Sequence, residues 1–143
     1  MAFVQRRIFR VPAGAQANRR LDALATAFVF LVSRDEEYVA LSARAGSRTF
    51  NLGDGFYNYL LLTLARRRLA DAAERLDDTA CGWVSQEELD HDPTMAPTHI
   101  NIGVFRMRER LRGFGVDANA IVERRRTARQ LRIGTSHLSV VHV

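Results

Sequence analysis

Ile100-Asn101-Ile102-Gly103-Val104-Phe105-Arg106-Met107-Arg108-Glu109-Arg110-Leu111 is the stretch from which the fold follows. At about 100° per residue, Ile100, Val104, Met107, Leu111 and Phe114 share one narrow helical face, and that face must be core. Thr98, Asn101, Ile102, Phe105, Arg106, Arg108, Glu109 and Arg112 then look outward. A helix of this kind suits the major groove of a duplex, where side chains meet base edges and flanking arginines meet phosphates. Ile102 and Phe105 admit two uses: contact with thymine methyls, or packing on a partner or on the N-terminal region. Gly103 sits mid-helix, at a cost of about 1 kcal/mol relative to alanine. A close backbone approach, to DNA or to a neighbouring element, is the expected reason.

Working outward, Trp83-Val84-Ser85-Gln86-Glu87-Glu88-Leu89 places Ser85 three residues before Glu88. That spacing is a capping box and predicts a short helix, ended by Asp92-Pro93. The next helix starts around 94–97, where proline is tolerated in the first turn, and ends at Gly113 or Gly115. Downstream, Ile121 to Ile133 is strand-like at both ends and arginine-rich in the middle, the pattern of a two-stranded hairpin with a basic tip. Upstream, Gly53-Asp54-Gly55 opens a first helix with Asp54 as its N-cap. Its apolar stripe runs through Phe56, Tyr59, Leu60, Leu62 and Leu64 to Leu69, Ala72 and Leu76, and Asp77-Asp78 ends it. Arg66-Arg67-Arg68 spread over most of a turn, so they cannot form one patch and read as a solvated helix face.

The first half reads as strands: Phe3 to Val11, Phe28 to Val32, Tyr38 to Leu41 and Arg48 to Leu52, with a short turn capped by Asn18 between the first two. Three or four antiparallel strands in a small sheet are expected. The fold class is α+β.

Charge is unevenly placed. The chain has 143 residues and a formal net charge of +5, and every one of its 21 basic residues is arginine. A GC-rich genome favours arginine codons whatever the function, yet the guanidinium is also the fork that matches phosphates and guanine edges. From Ala96 onward nine arginines face only Glu109, Asp117 and Glu123, a net of +6. Asp71 to Asp92 is strongly acidic instead. A basic end on a small domain is the footprint of a polyanion binder.

Other chemistry finds little support. Cys81 is the single cysteine, so no intramolecular disulfide forms and no base stands beside it in sequence. Asp90-His91-Asp92 and His99 lack metal-ligand spacing, because three consecutive residues rarely converge on one ion. There is no glycine-rich phosphate loop. The longest apolar run, near Leu21 to Val32, is broken by Asp22 and is too short to span a bilayer. Arg19 and Arg20 precede it, but no small-residue cleavage site follows. No cofactor, no metal, no membrane and no enzymatic activity are expected.

Three segments together resemble a known family. Val84-Ser85-Gln86-Glu87-Glu88-Leu89 is similar to the second helix of OmpR/PhoB-type winged helix-turn-helix effector domains. Ile100 to Leu111 resembles their recognition helix, and Ile121-Val122-Glu123-Arg124-Arg125-Arg126 to Leu131-Arg132-Ile133 resembles their wing. Order and spacing match, and with the preceding strands the resemblance covers about 27–133. It implies a four-stranded sheet, a three-helix helix-turn-helix core and a C-terminal β-hairpin wing. The domain layout is then an N-terminal extension at 1–26, a winged helix at 27–134 and a tail at 135–143.

The resemblance implies a transcriptional regulator that binds double-stranded DNA, without a receiver domain, acting in the cytoplasm at the nucleoid. The helix at about 97–112 would enter the major groove, and the arginine-rich hairpin at about 121–133 would lie on the minor groove or backbone. Thr98, Asn101, Ile102, Phe105, Arg106, Arg108 and Arg112 are its helix residues for DNA, and Arg124, Arg125, Arg126 and Arg129 those of the wing. Homodimers or tandem copies on DNA and a regulatory protein partner belong to the same expectation. The competing class is a protein-interaction module built on Ile102 and Phe105. Two departures stand out: the family's wing glycines give way to Arg126-Thr127-Ala128-Arg129-Gln130, and its recognition-helix histidine is Gly103 here.

Overall fold

The computed structural model describes residues 25–53, 55–93, 95 and 97–143. The expected strand Phe3 to Val11, the turn capped by Asn18 and the cap at Asp54 lie outside the described residues. The described chain is a mixed α+β fold. Its elements run β1 (Ala27–Val32), β2 (Val39–Ala45), β3 (Arg48–Gly53), α1 (Tyr57–Ala73), a 3-10 turn (Asp78–Ala80), β4 (Val84–Ser85), α2 (Gln86–Asp90), α3 (Pro97–Gly113), α4 (Ala118–Ile121), β5 (Val122–Arg125), β6 (Gln130–Ile133) and β7 (Leu138–His142).

The first sheet alternates as a half-buried sheet should. Phe28, Phe30 and Val32 of β1, Val39, Leu41 and Ala43 of β2, and Phe50 and Leu52 of β3 are all buried. They share one core with Leu60, Leu61 and Leu64 of α1, Ile100, Val104, Met107 and Leu111 of α3, and Ile121, Leu131 and Ile133 further on. The strand order is β3-β2-β1-β7. β1 pairs with β2, and β2 with β3, antiparallel as expected.

The fourth strand corrects the expectation. It comes from the C-terminal segment read as a tail, and it runs parallel to β1. The reason lies in register. Leu138 and Val140 stand opposite Phe28 and Phe30, so the tail extends the same apolar face. Phe28 N–H donates to the His137 carbonyl at 2.8 Å, and Val143 N–H to the Val32 carbonyl at 2.9 Å.

α1 is shorter than its apolar stripe suggested. It ends at Ala73, Arg75 takes a positive φ of 60°, and Leu76 is left exposed. Asp77 therefore does not close the helix; its carboxylate accepts from Thr79 N–H at the start of the 3-10 turn. The arginine triplet is also not a solvated face. Arg66 pairs with Glu36 in the β1–β2 turn at 2.9 Å, and Arg67 with Glu88 of α2 at 2.5 Å. Arg68 is 3% exposed, pairs with Asp78 and donates to the Ile133 carbonyl. Three side chains spread around one turn hold three different neighbours.

The second sheet has the order β4-β6-β5, all antiparallel. The hairpin expected between Ile121 and Ile133 is β5–β6, and the two-residue strand β4 adds to it. Ser85 then caps α2, accepting from Glu88 N–H at 3.1 Å. Only that half of the capping box is made, because the Glu88 carboxylate is turned to Arg67. Gly134 closes the hairpin onto α4, donating to the Ile121 carbonyl at 2.7 Å. A Cβ there would stand 1.8 Å from the Ala120 carbonyl oxygen, so no larger residue fits without moving the chain.

Candidate nucleic-acid interface

α3 buries the face its periodicity assigned. Ile100, Val104, Met107 and Leu111 are core, and Phe114 stacks on Phe50 with ring centroids 4.6 Å apart. Gly103 faces α1: a Cβ there would meet Leu60 Cδ2 at 3.4 Å and Tyr57 Cβ at 3.6 Å. The close approach is helix against helix. Thr98 lies in the first turn of α3, and its side chain is outside the described set.

On the opposite side, Asn101, Ile102, Phe105, Arg106, Glu109 and Arg112 are exposed. Ile102 is 43% and Phe105 58% exposed, values far from those of core side chains. Arg108 behaves differently from its neighbours. It is half-buried and folds back, donating to the Val122 carbonyl through Nη2 at 2.6 Å and Nε at 3.2 Å. It therefore fastens α3 to the start of β5.

Strand alternation sorts the hairpin arginines onto two sides. Arg124 turns toward α3 and donates to Asn101 Oδ1 at 2.9 Å. Arg125 turns the other way, donating to the Thr79 carbonyl at 3.1 Å with its guanidinium 3.9 Å from the centre of the Trp83 ring. Arg126 and Arg129 stand exposed at the tip, and their side chains have no hydrogen-bond or ion-pair partner among the described residues. Without glycine, the tip puts Arg129 in the left-handed region at φ 53°. Its N–H donates to the Arg126 carbonyl at 3.2 Å, and its carbonyl accepts from Gln86 N–H at 2.8 Å. That second bond ties the tip to the first residue of α2.

The result brings Asn101, Arg108, Arg112 and Arg124 together along one seam, with Arg106 on the outer helix face and Arg126 and Arg129 beyond it. It does not bring Arg125 there. Burial holds the Arg108 guanidinium below its ordinary pKa, and the charges of Arg124, Arg112 and Arg126 push the same way. Arg124 is lowered too, first by burial and then by Arg126. These cations press on one another without a carboxylate between them. Among the described residues, arginine ion pairs involve Arg66, Arg67, Arg68 and Arg132, none of which lies on this seam.

Arg132 belongs to the basic end of the chain, yet it is buried. It pairs with Glu123 at 3.2 Å and donates to the carbonyls of Asp78 at 2.7 Å and Cys81 at 3.1 Å. It holds the loop before β4 to the hairpin. Gln86 and Gln130, which the sequence did not single out, stand beside the hairpin arginines. Only the strand register places them there, so nothing local in the sequence marks them.

The remaining candidates are occupied elsewhere. His99 lies against the Phe56 ring at 5.7 Å, and His91 Nδ1 is 2.7 Å from the Glu87 carbonyl. Cys81 is buried, its thiol is pushed up by desolvation, and it donates to the Arg68 carbonyl. Among the described residues no three His, Cys, Asp or Glu side chains gather as a metal site. No helix there is long and apolar enough to cross a membrane. Compared with family models, with curated proteins and with solved structures, the chain matches none.

Proposed function

We propose that this chain is a sequence-specific double-stranded DNA-binding regulator of transcription, reading the major groove with α3 and the adjacent backbone or minor groove with the β5–β6 hairpin. The observation that carries this is the bond between Arg124 of the hairpin and Asn101 of α3 at 2.9 Å. It makes helix and hairpin one surface, on which Arg106, Arg112, Arg124, Arg126 and Arg129 have no carboxylate partner among the described residues. Guanidiniums without a carboxylate partner on a continuous surface fit a phosphate backbone. The order of elements supports a winged helix: helix, short strand, helix, exposed helix, the short α4, then a hairpin that pairs with the short strand. Such a protein works in the cytoplasm at the nucleoid. Tandem copies on repeated sites, a homodimer and a regulatory protein partner are all compatible with it.

Recovery of bound DNA from the native host, followed by gel shifts on the best site, tests the proposal. Arg106→Ala is expected to lower affinity for that site by about ten-fold or more while leaving unrelated duplexes little changed, as loss of a base contact does. No enrichment, together with equal binding of every duplex by both proteins, would contradict it.

A second use keeps one specific observation. Ile102 and Phe105 are apolar and exposed on the outer face of α3. A winged-helix protein-interaction module would centre on them, and Phe105→Ala would then abolish partner capture without touching duplex affinity.

A further inference from the structure

Asn101 and Arg124 join helix to hairpin through one bond, and that bond decides which way round the amide lies. Arg124 Nη2 donates to Asn101 Oδ1 at 2.9 Å. A guanidinium carries donors only, so the amide oxygen must face it and the Nδ2 group must point away. Asn101 is exposed, and its Nδ2 has no hydrogen-bond partner among the described residues. Arg124 is half-buried, so it is the better-held end of the bond.

The setting holds this geometry in place. Arg108, two turns after Asn101 on the same face of α3, is fixed to the Val122 carbonyl by bonds of 2.6 and 3.2 Å. Val122 and Arg124 both belong to β5. Helix and strand are therefore fastened at two points, about 10 Å apart along α3 at about 1.5 Å per residue. Asn101 opens the second turn of α3, near the helix end from which a recognition helix sends side chains to base edges.

We infer that Asn101 is a specificity-determining residue that reads the N7 acceptor of a purine through Nδ2, and that Arg124 is the positioning residue that fixes the amide for it. This rests on the duplex-binding reading and names what one residue of that surface recognises. Chemistry selects the base. In the major groove both purines present N7 as an acceptor, whereas cytosine presents the N4 amino donor. Thymine presents O4, crowded by the C5-methyl group. A fixed N–H donor finds a partner on a purine and meets another donor on cytosine. Released from Arg124, the amide turns over and accepts from cytosine N4 as readily as it donates to N7. The remaining guanidinium N–H groups of Arg124 have no partner among the described residues, which leaves them for a neighbouring phosphate.

Selection of duplexes from a randomised pool by the full chain and its variants, read by sequencing, tests this. The native protein is expected to favour a purine at one position and to disfavour cytosine there about ten-fold, a usual cost of one mismatch. Asn101→Ala is expected to abolish that preference and keep the others. Asn101→Asp keeps the bond from Arg124 but turns the donor into an acceptor, so cytosine is expected to become the favoured base. Arg124→Ala is expected to relax the same position, and Arg124→Lys, which still donates, to retain it. Arg126→Ala is expected to weaken every duplex alike and leave the preference intact. A 7-deaza purine, with carbon in place of N7, is expected to weaken binding of the native protein about ten-fold and of Asn101→Ala not at all. If no position answers to Asn101→Ala, or the 7-deaza base is bound as tightly as the natural one, the Asn101 assignment is overturned while the regulator proposal stands. A preference untouched by Arg124→Ala, or lost in Arg124→Lys, overturns the positioning role. A pool from which no sequence is enriched sinks the regulator proposal and this inference with it.

Discussion

Arginine in this chain does two jobs, and the neighbours decide which. Arg68 and Arg132 are buried with carbonyls and a carboxylate around them, Arg108 caps a strand-end carbonyl, and Arg106, Arg126 and Arg129 face solvent. Glu36 shows the same control from the acid side. The hydrogen bonds from Arg66, and next from His142, hold its carboxyl down at about 2, against an ordinary 4.5. Its ion pair is in force above the ordinary value and is lost as pH falls from there through about 2. Carboxyl NMR is expected to show that midpoint, and Arg66→Met is expected to move it up toward the ordinary value. An unmoved midpoint would mean the pair does not form in solution. Gly103 offers a second check. A Cβ there finds ordinary contact distances to α1, so Gly103→Ala is expected to gain about 0.5–1 kcal/mol of stability from helix propensity. Denaturant unfolding measures it, and a loss of that size would show that the two helices have no room to give. The arginine total was visible in the sequence, but each side chain's role was not. The partners of Arg68 lie 10 and 65 residues away, and no local pattern announces them.

Elements were legible where their own residues carry the signal. The core face of α3 follows from a 3.6-residue period, and β5–β6 from apolar ends around a basic middle. β4 is two residues long and exists through Val84 and Ser85 pairing with Leu131 and Gln130, so its own sequence had nothing to show. β7 alternates correctly, yet alternation does not say which sheet edge it joins or in which direction. α1 shows the opposite failure. Its apolar spacing continues past Ala73, but the turn at Arg75 and the pairing of Asp78 with Arg68 win over periodicity. The junction after β6 can be tested. Gly134→Ala drives a methyl group into the Ala120 carbonyl, and overpacking of this kind costs about 3 kcal/mol or more. Thermal or denaturant unfolding at near wild-type stability would show that the hairpin and α4 are not locked together there.

At the scale of the molecule, charge is sorted. The acidic stretch supplies the partners Asp78 and Glu88 for Arg68 and Arg67, which neutralises the interior side of α1. The arginines of α3 and the hairpin tip are left without that compensation. This asymmetry was readable as a basic C-terminal third, but the seam between Asn101 and Arg124 was not, because it joins residues 23 apart through tertiary packing. The most direct measurement is the affinity for the recovered duplex as a function of salt. If Arg112, Arg124, Arg126 and Arg129 neutralise phosphates, log affinity falls against log salt with a slope of about −3 to −4, and Arg126→Ala makes the slope shallower by about 0.9. A slope near zero, unmoved by Arg126→Ala, would contradict the account.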